Sequence, residues 1–97
     1  MATYRRGYLP ERKAVKLLEE AGYVVARTAG SHSPFDVVAV NANGIRLIQV
    51  KRVKEGGFAA ILETAREEIR QVPKVPGVSR EVWIWLNGKG WVVQEAV

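Results

Sequence analysis

Four residues whose types can share one reaction occur in order along this sequence of 97 residues: Glu11, Asp36, Gln49 and Lys51. Two carboxylates and an amide oxygen are ligands that a hard cation such as Mg²⁺ accepts. Such an ion lowers the pKa of a bound water and neutralises charge on a phosphodiester under attack. An ammonium beside it holds the attacking water or offsets the developing negative charge. A carboxylate followed by D…[E/Q]xK on a hairpin is specific only when all parts occur in this order, as they do here. Taken singly, each residue also suits an ordinary role: Glu11 as a favourable charge at a helix start, the other three as a polar sheet edge with a surface ion pair.

The elements that must position these residues follow from local pattern. Pro10 suits a first helical position, Gly22 suits the stop, and Ala14, Leu17, Leu18 and Ala21 recur between them at helical spacing. Glu11 lies four and seven residues before Val15 and Leu18, so it continues their inward face. A carboxylate there is costly without a partner. A place in the first turn, at the positive end of the helix dipole, is expected to keep it ionised. Residues 23–28 (YVVART) are short and β-branched, and 29–35 (AGSHSPF) read as a loop.

Two strand-like runs, DVVAV and IRLIQVKRV, flank NANG, a hairpin signal. Alternation puts Leu47, Gln49 and Lys51 on one face of the second run. Asp36 opens the first; the sequence does not fix the pairing register, but both sites lie at the hairpin's open end, where Asp36 can approach Gln49 or Lys51. Phe58, Ile61, Leu62, Ala65, Ile69 and Val72 share one face of a helix expected over 58–72, after the break at Gly56 and Gly57. VWIWL and WVVQEAV form a second hairpin across NGKG. The expected order is α-β-β-β-α-β-β, an α/β fold with a central mixed β-sheet flanked by helices. It forms a single domain over 1–97, with residues 1–8 as a basic N-terminal arm.

Composition narrows the function classes. Fifteen Lys and Arg against ten acids give a net charge of +5, which suits a polyanionic partner. Nine of the ten acids are Glu; Asp36, four residues after the only His, is the only Asp. Cysteine is absent, which excludes disulfides and thiolate metal sites. No apolar run reaches the roughly 20 residues of a membrane span, and no signal-peptide pattern opens the chain, so no membrane association and a cytoplasmic setting are expected.

RRGYLPERKAVKLLEEAGYVVARTAGSHSPFDVVAV and IRLIQVKRV resemble the PD-(D/E)xK nuclease superfamily, and within it the archaeal-type Holliday-junction resolvases. The most specific parts are RRGxxxER, the RTAGS loop, the Asp-Val-Val-Ala strand and the xVK tripeptide. The resemblance implies a restriction-endonuclease-like fold and a homodimeric endonuclease that nicks four-way DNA junctions with Mg²⁺, Mn²⁺ substituting. It puts metal binding on Glu11, Asp36 and Gln49, the nucleophilic water beside Lys51, and phosphate handling near the scissile bond on Arg27 and Ser31. Arg5, Arg6 and Arg12 match positions that grip the DNA backbone. One departure stands out, since such enzymes usually carry Glu where this chain has Gln49; an amide oxygen still coordinates but brings no charge. Two other readings stay open: a related nuclease acting on flaps or ends, and a non-catalytic branched-DNA-binding protein.

Further candidates for phosphate contact are Arg52 and Lys54, with Lys13, Lys16 and Lys89. Each is also what a solvated surface charge looks like. His32 reads as an exposed loop residue. Trp83, Trp85 and Trp91 can stack on bases, although core packing or a subunit interface explains them as well.

Overall fold

Period-two and period-3.6 patterns translate into seven elements in the expected order. The computed structural model of the chain describes residues 5–28 and 33–97, with residues 5–8 as backbone only. Ser31 and His32, and the side chains of Arg5 and Arg6, therefore lie outside the described residues. The elements are α1 (Arg5–Glu20), β1 (Val24–Arg27), β2 (Val37–Asn41), β3 (Gly44–Val53), α2 (Ala59–Ile69), β4 (Val78–Leu86) and β5 (Gly90–Ala96). Among the described residues no helix is long and apolar enough to cross a membrane.

The helix α1 begins earlier than Pro10 suggests. Residues 5–8, expected in the arm, are helical, and Pro10 sits inside the helix. Proline deletes one intrahelical bond, the one the Arg6 carbonyl would accept. In the second turn that loss is tolerable, and the ring is fully buried. The stop behaves as expected: Gly22 adopts φ +97°. Its N–H donates to the Glu19 carbonyl at 3.0 Å and that of Tyr23 to the Leu18 carbonyl at 3.0 Å, a Schellman ending. Ala14 and Leu18 are buried, whereas Leu17 is 44% exposed, so the buried stripe is narrower than its apolar residues imply.

The strands form one sheet in the order β1-β2-β3-β4-β5. Neighbours are antiparallel except β3 and β4, which run parallel and are joined through α2, as parallel strands require a crossover. Between β2 and β3 the hairpin turns at Ala42 and Asn43, and the Asn43 N–H donates to Oδ1 of Asn41 at 2.8 Å. Gly44 is demanded there: a Cβ would lie 2.5 Å from the Gly77 carbonyl oxygen. The helix α2 is shorter than expected: it ends at Ile69, and the Gln71 and Val72 N–H groups donate three residues back, to the Glu68 and Ile69 carbonyls at 3.2 and 3.1 Å.

Alternation divides the core. Ile48, Val50 and Trp83 pack with Ala14 and Leu18 of α1. Val53, Val82 and Ile84 pack on the other face with Ala65 and Ile69 of α2. Trp83 is buried and meets Trp91 edge-on at 5.2 Å, while Trp85 meets Trp91 at 5.1 Å. The tryptophans thus serve packing on the α1 face, with the Lys13 ammonium 5.4 Å over the Trp85 ring. On the same face Glu81 accepts both Nε and Nη2 of Arg46, at 2.7 and 2.8 Å, as well as Ser79 Oγ and Trp83 Nε1. Burial alone pushes the Glu81 carboxyl up, but these hydrogen bonds outweigh it and hold it below the usual carboxylate range.

Candidate active site

The sheet forks where β2 begins. The last β2–β3 pair is Val37 with Ile48, and beyond it Gln49 to Val53 pair only with β4. Asp36 stands in the fork. Its N–H donates to the Ile48 carbonyl at 2.8 Å, and its own carbonyl accepts the Thr28 N–H at 2.9 Å. Its side chain then takes the next donor of the open strand, the Val50 N–H, onto Oδ2 at 2.9 Å. One carboxylate oxygen is so fixed by backbone, and no described residue hydrogen-bonds the other.

Glu11 approaches from α1. Its side chain is 23% exposed and lies 3.7 Å from Nε of Arg27 on β1. Burial, and then the Asp36 carboxylate, push its carboxyl from 4.5 up to about 7, with Arg27 opposing. This corrects the expectation that the helix dipole keeps it ionised. No acidic residue lies in the first turn of α1, and the dipole's influence fades within one turn. Burial raises the Asp36 carboxyl too; the Val50 N–H and Lys51 counter that rise, and Glu68 adds to it.

Gln49 and Lys51 project from β3 toward α2, as alternation predicts. Gln49 is 4% exposed and donates Nε2 to Oε1 of Glu68 at 2.6 Å. The same oxygen lies 2.9 Å from Nζ of Lys51. Glu68 is thus a member of the cluster absent from the sequence-derived set. Helical spacing could have found it, since it lies three residues after Ala65 and seven after Ile61, on the flank of the buried stripe.

Arg27 and Arg12 line a shallow groove between α1 and β1 with Lys16, Glu19, Val15 and Val25. Arg52 donates Nε to Oδ1 of Asn87 at 3.1 Å, and Lys54 is exposed just after β3. Among the described residues no three His, Cys, Asp or Glu side chains form a ready-made metal cage. The donor set nevertheless fits Mg²⁺, which keeps several waters and needs only one or two protein carboxylates. All the donors available are hard oxygens, and Glu11 and Asp36 are close enough that each charge disfavours the other, a repulsion a cation relieves.

Comparison with known proteins follows the same lines. The sequence model of the archaeal Holliday junction resolvase (Hjc) family matches residues 2–74. Among solved structures, the chain is similar to Hjc of Archaeoglobus fulgidus, described as a Holliday junction resolvase from an archaeal hyperthermophile. The two share 27% sequence identity with a TM-score of 0.68, over 89% of this chain and 69% of the other. The restriction-endonuclease-like fold expected above is the one observed.

Proposed function

The chain belongs to the archaeal Holliday junction resolvase family, and we propose that it nicks four-way DNA junctions by metal-dependent phosphodiester hydrolysis at the β2–β3 fork. The observation that carries this reading is the Asp36 carboxylate clamped on the Val50 N–H, with Lys51 on the adjoining strand and Glu11 arriving from the helix. Glu11, Asp36 and the amide oxygen of Gln49 would hold Mg²⁺, with Mn²⁺ as a substitute. When bound, the ion supplies charge neutralisation at the phosphodiester and a more acidic water.

The chain's own groups do the remaining work. The Lys51 ammonium offsets negative charge developing at phosphorus and orients the attacking water. Deprotonation of Glu11 readies the cation site, so Mg²⁺ affinity should rise with pH up to about 7. Arg27, together with Ser31, contacts the phosphate next to the scissile bond. Arg12 and Lys16 in the groove beside α1, Arg5 and Arg6 at the start of α1, and Arg52 and Lys54 grip the flanking backbone.

A homodimer completes the reading. Resolving a four-way junction takes two symmetric nicks, and a two-fold pair of identical chains supplies both. Support comes from Val24, Val40 and Ile45, 78%, 40% and 37% exposed, which neighbour one another across three strands, and from Ile61 on α2, 37% exposed. A cytoplasmic setting suits a DNA-acting enzyme with no cysteine.

The experiment is to replace Asp36 or Lys51 with Ala and measure junction binding and cutting separately. Cutting should vanish while binding stays close to wild type. Full cutting by either variant would remove the fork from the mechanism.

A further inference from the structure

Gln49 presents a chemical difficulty that its neighbour resolves. An amide can turn either end toward a cation, and the N–H₂ end repels one. A carboxylate only accepts hydrogen bonds, so the 2.6 Å contact with Glu68 dictates that Nε2 faces α2. Oε1 is thereby the end left for a ligand. The same Glu68 oxygen lies 2.9 Å from Lys51, so one carboxylate orients two consecutive inward residues of β3.

Charge points the same way. Glu11 and Asp36 against Lys51 and Arg27, the latter 3.7 Å from Glu11, leave no net charge to attract a divalent ion, and Gln49 adds none. Glu68 brings the count to one negative charge. At 35% exposure its carboxylate is partly withdrawn from water, where screening is reduced.

We propose that Glu68 is a positioning residue of the metal site: it aims the Gln49 amide oxygen at the cation, holds Lys51 alongside, and supplies the negative charge that Gln49 lacks. The proposal rests on the metal-dependent reading above. It also accounts for a neutral residue at a ligand position, since the carboxylate has moved from the strand to the facing helix.

The test is Mn²⁺ binding to the full DNA-free chain at pH 8, followed by the electron paramagnetic resonance of the free ion, with a thermal melt of each variant. Glu68→Gln keeps the side chain's size but removes the charge and turns one acceptor oxygen into a donor, so both the charge and the acceptor-only clasp on Gln49 are lost. It should weaken Mn²⁺ binding roughly ten- to a hundredfold, the usual cost of losing a group that orients a ligand. The exchange Gln49→Glu with Glu68→Gln restores both charge and pairing and should return affinity close to wild type, which a purely structural clasp would not do.

Unchanged affinity in E68Q, or a double variant as weak as E68Q, overturns the proposal. Should E68Q melt before titration, the double variant carries the decision alone: affinity near wild type supports the exchange of charge, and loss of affinity refutes it. Wild type that binds no Mn²⁺ would instead bring down the metal-dependent reading, and this inference with it.

Discussion

Replacing Glu11 with Gln should make the metal-free protein more stable at alkaline pH, because the wild-type carboxylate is held where its charge is unwelcome. Its carboxyl rises from 4.5 to about 7 on folding. Below 4.5 the folded and unfolded chains both carry the proton. Between 4.5 and about 7 the unfolded chain releases it first, so stability conferred by protonated Glu11 is lost as pH rises through about 7. At about 1.4 kcal/mol per pKa unit the full shift corresponds to roughly 3 kcal/mol, an upper bound. Solvent reaches part of the side chain, and screening reduces the expected effect to about 1 kcal/mol.

Gln stays neutral throughout, so Glu11→Gln and wild type should be equally stable near pH 4. The variant should gain about 1 kcal/mol by pH 8, or roughly 4–8 °C in Tm for a domain of this size. Urea denaturation in a chelator at pH 4, 6 and 8 measures this directly. Mg²⁺ at pH 8 should then stabilise wild type more than the variant, since binding to the folded state alone adds stability. Identical pH profiles for the two proteins would refute the placement of Glu11 in a crowded carboxylate cluster.

Other outcomes follow from the same structure. Glu81→Ala leaves Arg46 without its bidentate partner and Trp83 Nε1 without an acceptor, and should cost about 3 kcal/mol in denaturant unfolding; a loss under about 1 kcal/mol would show that water replaces the network freely. Junction binding in a chelator should weaken steeply with salt, with a slope of log affinity against log salt near −0.9 for each phosphate neutralised. Arg12→Ala should lower that slope by about one; salt-independent binding would contradict a grip on the backbone.

Much of this architecture is legible in the sequence. The seven elements announce themselves because β-branched alternation and helical stripes are separated by strong breakers such as Asn43-Gly44 and Gly56-Gly57. Asp36 and the Gln49–Lys51 pair are readable as neighbours because all three lie at the hairpin's open end, although the sequence does not set the register. What resisted reading was set by tertiary context. Pro10 looks like a helix start by local rules, yet burial of its ring lets α1 run upstream to Arg5. That moves Glu11 out of the first turn and reverses the direction expected for its carboxyl, which burial and Asp36 push up to about 7. Glu68 lies on the flank of the apolar stripe by its spacing from Ala65, but a Glu among several on an amphipathic helix reads as solvated until the β3 face beneath it brings Gln49 and Lys51 alongside.

The most direct measurement incubates the wild-type chain with Mg²⁺ and a synthetic four-way junction, beside a linear duplex of matching sequence, and maps the products on both strands. Paired nicks placed symmetrically about the branch point, with the duplex spared, are the result predicted. Equal cutting of the duplex would point to a nuclease of different selectivity. Junction binding without cutting in either Mg²⁺ or Mn²⁺ would contradict the central claim, and leave a branched-DNA-binding protein in place of a resolvase.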